Sequence, residues 1–530
     1  MYTYTLNTHS WYSTQSLYCK ANNSYTNDCA IGLEAGLLIQ LDLLPPCQLK
    51  PQHSSHFNLL SSNNSSPYYS LINDVDNTSS NCNPETSIIT GVTLDLANPK
   101  TVLNHTNFPL FQSASNTIKI PSKVEYSIRR LISKKELKKI HPTIEVAVEL
   151  CLLFISNLTS TYFGWKDGSN LEGWKPLKAA YLRKFISYEK HTYKLIRELL
   201  EKPLRDGAII ECDYYDIQGA KCYYYRLGSN YIGKGIKTYQ LKTNLAIELN
   251  QQYYDARLRE SKSNHICKNL FLVYAKITLP TIEDIKVNAK KLVASGYKSK
   301  KGKKLTFLNK HSKQYFSDAS ERTFVEFGIQ AFEFLTGGGF MLPRISSEYA
   351  GGRVVDSFVL MPSYIRNMCK IDGQPAVEVD FSCLHPNIAM CLYGGKQRFI
   401  THQMIADELG IPLSQVKTEH LSFFNKHPEE MKDSPLYSYY MKKEPAMMKN
   451  LIKEKYAASR RHKITSQKMF EKEVAIMTDT VKQLSLEGIL VLYVYDALLC
   501  TPNNAARVKQ VMDEQVLKHG VFTVAKINTP

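Results

Sequence analysis

The chain has 530 residues, a length that suggests two to four domains. A hydrophobic fraction of 43% is that of an ordinary globular protein, and no apolar run reaches the roughly 18–20 residues that span a bilayer, so a bundle of membrane helices is excluded. The net charge of +17 is uneven: residues 1–118 hold three lysines, no arginine and seven acids, a balance of −4, which leaves +21 on the other 412. That surplus argues for a polyanionic partner, nucleic acid most simply, with a surface kept basic for solubility as the plain alternative.

The opening MYTYTLNTHSW has neither the basic start nor the apolar stretch of a secretory signal. The twelve cysteines include no CxxC pair, and the spacing of Cys383, His385 and Cys391 fits no common zinc site. A reducing compartment is expected, the cytoplasm or, in a eukaryote, the mitochondrion. Residues 1–118 are rich in Ser, Asn and Thr and poor in charge, which suits a flexible arm or a loosely organised β-rich domain. From Lys119 onward charge and a 3.6-residue period appear together, predicting helices near 123–139, 143–157 and 174–206. The apolar stretch 144–155 contains Glu145 and Glu149 and reads as a core helix.

Within 191–227 a helix is followed by Gly207, a β run at 208–212, a turn at Gln218-Gly219 and a second run at 222–227. That order suits a winged-helix module or any other helix–hairpin unit. Residues 286–313 hold ten lysines and no acid, with Tyr297 and Phe307 among them. Such a stretch suits either a surface that grips phosphates and stacks bases or a solvated loop.

The chemistry concentrates near the C-terminus. Residues 376–379 form a short apolar run interrupted by Glu378, ending on Asp380; Pro386 suits the first turn of a helix that stops at Gly394-Gly395. Further on, Phe470, Val474, Met477, Val481 and Leu484 repeat at steps of three and four, an amphipathic helix that Gly488 ends. An apolar strand at 489–494, Asp496 and a second run at 497–500 then predict a β-hairpin with an acid at its tip. An Asp after an apolar strand commonly caps a helix or makes a turn. Two such acids at the ends of two buried strands also have the geometry of two-metal nucleotidyl transfer, with Mg²⁺ ions roughly 3.5–4 Å apart.

At these residues the chain resembles the family A DNA polymerases and the related single-subunit RNA polymerases. The segment from Asp380 to His385, DFSCLH, stands in place of the family's D-Y-S-Q-I-E. Gly352-Arg353, Leu360-Met361-Pro362 and Arg366 are similar to its upstream G-R, N-I-P and basic residue. Gln467, Glu471 and Glu473 lie on the helix that carries its Q-x-x-E-like pattern, and Val494-Tyr495-Asp496-Ala497 replaces V-H-D-E. For the fingers helix the best match is Lys417, with Leu421 where an aromatic is expected, Asn425 where a tyrosine is expected and Leu413 in place of an arginine. His385 replaces the glutamate that excludes a ribose 2′-hydroxyl, so sugar choice is not carried over. The acids are 116 residues apart (496 − 380), which implies reduced fingers. The DFSCLHPNI stretch is also similar to a family B motif, but Leu498 stands where that family has a second acid.

The resemblance implies an α+β fold: a polymerase-like right hand with an antiparallel-sheet palm at 336–530, a mainly helical basic region at 119–335 and a poorly structured region at 1–118. It implies that Asp380, Asp496 and the Phe381 carbonyl bind two Mg²⁺, or Mn²⁺. Lys417 would meet the triphosphate of an incoming nucleotide beside Leu421 and Asn425, and His385 would lie under its sugar. Arg353, Arg366 and Lys370 would meet template or primer phosphates, and Lys300, Lys301, Lys303 and Lys304 would grip the duplex. The activity implied is template-directed DNA synthesis for a mobile element. RNA or primer synthesis, a degenerate palm in a DNA-binding replication protein, and a nuclease are the rival readings.

Overall fold

A computed structural model describes residues 111–112, 116–159, 174–177, 179–187, 189, 191–205, 207–217, 220–231, 235–299, 302–308, 321–396, 399–458 and 461–528. The Ser/Asn-rich region up to residue 110 lies outside them, and so does the choice between an arm and a β-rich domain. The fold is mixed helix and mainly antiparallel sheet, the α+β class expected, with one short parallel pair between 304–306 and 322–324. Among the described residues no helix is long and apolar enough to cross a membrane.

The first apolar core collects residues from Ile118 to Leu249. Strand β1 (Thr117–Pro121) pairs antiparallel with β5 (Ile236–Gln240). Between them run α1 (Val124–Leu131), α2 (Lys134–Ile140) and α3 (Ile144–Ser156). Residues 146–155 of α3 are buried without a break, so this helix is the centre of the layer. Glu149 inside it is satisfied by the Lys242 and Thr243 N–H groups, both at 2.8 Å, and by the Thr243 and Tyr239 hydroxyls. A buried carboxylate with four donors is tolerated where a bare one would not be. The helical stretch expected over 174–206 divides into β2 (Lys175–Leu177), α4 (Ala179–Ile186) and α5 (Thr192–Glu201). The cause is non-local: β2 pairs with residues 223–225 of the hairpin β3 (Ile210–Ile217) and β4 (Ala220–Leu227), giving the sheet order β2-β4-β3.

Helix α6 (Asn244–Ser263) joins the two cores, burying Ala246 and Leu249 in the first and Tyr254 and Leu258 in the second. The resemblance implies a boundary at 335; the two apolar cores meet inside α6. The second core includes α7 (His265–Tyr274), α8 (Ile282–Ala294) and α9 (Val325–Thr336). Its sheet begins with β6 (Val377–Phe381), followed by α10 (Leu384–Tyr393), α11 (His402–Leu409), α12 (Leu413–Phe423), α13 (Pro435–Lys443), α14 (Pro445–Ala457) and α15 (Ile464–Leu486). The hairpin β7 (Leu492–Val494) and β8 (Ala497–Cys500), then α16 (Ala505–Lys518) and β9 (Ala525–Asn528), complete it. The strands lie antiparallel in the order β7-β8-β6-β9. Shorter segments are referred to by residue number.

Candidate active site

Strand β6 alternates: Val377, Val379 and Phe381 are buried, and Glu378 and Asp380 are half-buried on the other face. Asp380 stands opposite Ala497 on β8, and Asp496 is the residue before Ala497, in the turn of the hairpin. The Phe381 N–H points at the Asp496 carbonyl at 3.4 Å. Strand β6 and the hairpin turn therefore bring the two acids to the same end of the sheet. The hairpin is held from behind by Asn269 of α7, whose amide donates to the Val491 carbonyl at 2.5 Å and accepts from the Val491 N–H at 3.2 Å. On the other side of β6, Asp513 accepts from the Ala525 N–H at 2.6 Å, and Ser382 N–H donates to the Val524 carbonyl at 2.9 Å. That fixes β9 and sets Lys526 directly opposite Asp380, on the same face by antiparallel register.

Tyr495, just before Asp496, has φ +59°, and Cys383, three residues after Asp380, has φ +55°. The other positive-φ residues besides glycine among those described are Asn116 and Asp372, types that accept this conformation readily. The backbone on each side of the acid pair is thus held where tyrosine and cysteine are disfavoured, a pattern found at functional sites.

Next to the pair lies a buried ionic cluster. Glu473 of α15 is fully buried. It accepts from Arg353 Nε at 2.8 Å and Nη2 at 2.5 Å, and from His385 Nε2 at 2.6 Å. The Arg353 guanidinium lies 3.8 Å from the Phe470 ring centre and 4.7 Å from that of Tyr495. Burial pushes the Glu473 carboxyl up, but the Arg353 charge and the bonds from His385 and Arg353 outweigh it and hold it at about 2. Gly351 makes the docking possible: at φ +65°, a Cβ there would stand 2.4 Å from backbone atoms of Phe470 and Glu471.

Helix α12 exposes Lys417 and, four residues on, Leu421. Between them His420 points inward, 2.8 Å from the Tyr440 hydroxyl, with its ring 4.9 Å from that of His402. Burial and the nearby Lys417 charge lower His402 to about 4. Burial, then His402 and His385, lower His420 to about 3. Lys417 and His385 thus act on the same neutral histidine pair, which links α12 electrostatically to the start of α10. Asn425 is turned away: its side-chain oxygen accepts from Ser466 at the start of α15.

Several expected nucleic-acid contacts sit elsewhere. Arg353 is committed to Glu473, as described. Arg366 is buried and donates to the Phe358 carbonyl at 2.9 Å, so a surface phosphate contact does not fit its placement. Lys370 is exposed, with its charge acting on Asp284 at the start of α8. Lys303 and Lys304 follow a tight turn closed by Ser299 N–H to the Lys303 carbonyl, while Lys300 and Lys301 lie outside the described residues. Tyr297 and Phe307, expected to stack bases, pack against the second core. Lys526, on the last strand among the described residues, carries no sequence signal of its own. Glu473 was visible as an acid at a core position of the α15 stripe, a signal that a buried partner must exist.

Asp380 and Asp496 offer hard carboxylate oxygens, the donors Mg²⁺ takes. Among the described residues no third His, Cys, Asp or Glu joins them in a metal-holding group. Two carboxylates fit an ion that keeps several waters and completes its shell with substrate phosphates. Compared with known proteins, the chain matches no family model and no curated protein. It is similar to the polymerase domain of Pol1 from M. smegmatis, solved in complex with DNA primer-template and dNTP. The TM-score is 0.30 and the identity 10%, over 53% of this chain and 72% of that one. A likeness of that size sets neither fold nor activity.

Proposed function

We propose that this chain is a template-directed nucleotidyltransferase of the DNA polymerase kind, extending a nucleic-acid 3′ end. The observation that carries the reading is that Asp380 near the end of β6 and Asp496 in the adjoining hairpin turn, both only partly buried, come to one end of the sheet. Two carboxylates held close together repel one another unless cations lie between them. The Phe381 carbonyl and these two carboxylates would hold Mg²⁺ or Mn²⁺, which when bound activates the 3′-hydroxyl and neutralises charge on the triphosphate.

The residues of the chain then have distinct tasks. Asp380 and Asp496 fix the reacting centre at the strand ends. Lys417 on the exposed face of α12 meets the triphosphate and stabilises the charge that develops as the bond to pyrophosphate breaks. His385, held by Glu473, forms the floor beneath the sugar. Arg353 is a positioning residue here: through Glu473, Phe470 and Tyr495 it braces the turn that presents Asp496. Lys370, Lys303 and Lys304 supply phosphate contacts outside the centre.

Purified protein given a primed DNA template, Mg²⁺ and either dNTPs or rNTPs tests the reading. Extension by the parent, reduced at least about 10³-fold by Asp380→Ala or Asp496→Ala, is the expected result. The preferred triphosphate would assign the sugar. No extension on any template, with DNA still bound in a salt-dependent way, would replace the enzyme by a DNA-binding protein with an inactive palm.

A further inference from the structure

The first core carries an element order that the palm chemistry does not use. Helix α3 is followed by β2, α4, α5, β3 and β4, and β2 pairs with the last strand, not with the next. Helix, strand, two helices and a terminal hairpin, in a sheet of that order, is the layout of a winged helix. In such a helix–turn–helix pair the second helix is the one that enters a major groove. Helix α5 is anchored by Thr192, Tyr193, Ile196 and Leu200, which leaves His191, Lys194 and Glu198 exposed. Arg197 lies 4.6 Å from the Tyr223 ring centre and ties α5 to the hairpin.

Beside α5 stands an unusual basic helix. In α2 only Leu137 and Ile140 reach the core, and Lys134, Lys135, Lys138 and Lys139 are all exposed. These positions fall on one arc of the helix, opposite the core side. The pairs 134/138 and 135/139 are like charges one turn apart, which weakens a helix unless an anion lies across them. The helix has one acid, Glu136, and it is occupied: it closes a capping box with Ser133 and pairs with Lys202 at 2.5 Å. Lys202 follows the last residue of α5, so this bridge sets the lysine face at the C-terminal end of that helix. Arg205, a few residues on, is exposed as well. Because the apolar side of α2 is buried in the core, it has no face to insert into a lipid surface.

We infer that α5 and the lysine face of α2 form a second nucleic-acid surface, separate from the acid pair, that takes duplex DNA. Helix α5 lies in the major groove, and Lys134, Lys135, Lys138 and Lys139 meet the phosphates beside it. The surface anchors the chain on double-stranded DNA whether or not the palm is active.

The test is fluorescence anisotropy of the full chain with a short duplex closed at both ends, so that no 3′ end is offered to the palm. The variant K134Q/K135Q/K138Q/K139Q should bind at least tenfold more weakly at about 100 mM salt, and its log Kd should rise with log salt by a slope smaller by about 3–4. Circular dichroism and melting matching the parent would show that the variant folds. Its extension of a primed template should stay within about twofold of the parent; if neither extends, the palm reading fails while the binding result stands. Unchanged Kd and slope would overturn the inference. So would equal dependence of single-stranded DNA binding on these lysines, or a loss confined to anionic vesicles.

Discussion

Two groups of charge lie next to each other around the hairpin turn, and the fold treats them in opposite ways. Arg353, Glu473 and His385 bring opposite charges together in a buried place, under two aromatic rings. Asp380 and Asp496, one near the end of β6 and one in the adjoining turn, are two acids, both only partly buried, at one end of the sheet. The first arrangement satisfies itself and so holds structure; its removal should be read in stability. In the proposed reading the second is where the cation binds, so its removal should be read in chemistry. The difference also explains why Arg353, the family-like arginine, is better understood as a brace than as a phosphate clamp.

Glu473→Gln should sharpen the contrast most. It leaves Arg353 buried without its carboxylate, and unfolding free energy should fall by about 3–5 kcal/mol in denaturant titration. Because the Glu473 carboxyl is held at about 2 in the folded chain, below its unfolded value near 4.3, its contribution is present above about pH 4.5 and is lost as pH falls through 2. The gap between parent and variant should therefore close on acidification; a gap that widens would contradict the assignment.

Lys417→Ala should do the reverse, lowering kcat/KM for the triphosphate by about 10–100-fold with melting unchanged. The same change removes a charge that disfavours protonation of His402, so the His402 pKa, followed by NMR, should rise from about 4. An unmoved His402 would separate α12 from the site.

The smallest effect belongs to Tyr495. Asparagine accepts its φ of +59° but loses the ring over Arg353, and stability should change by only about 1 kcal/mol. Tyr495→Val, β-branched at the same φ, should cost about 1–3 kcal/mol more. Equal behaviour of the two would mean that the turn is not constrained.

Much of the site was legible because its signals are local. An apolar run ending on Asp380, the stripe of α15 and the hairpin around Asp496 follow from periodicity alone, and the elements appear at 377–381, 464–486, 492–494 and 497–500. What escaped is non-local. Arg353 finds Glu473 across 120 residues, and exposure alone separates Arg366, buried on the Phe358 carbonyl, from a surface arginine. Strand β2, three residues long, is specified by a partner some fifty residues away, which is why 174–206 reads as helix. Likewise, Tyr297 and Phe307 look like stacking residues among lysines until the core they pack against is known.

The central claim is that Asp380 and Asp496 work as one unit, and a double-mutant cycle on primer extension addresses it directly. Asp380→Asn and Asp496→Asn should each lower the extension rate by about 10³-fold or more, and the double variant should be no slower than either, as for groups that act together. Losses that multiply in the double variant, or either single variant extending at the parent's rate, would contradict it.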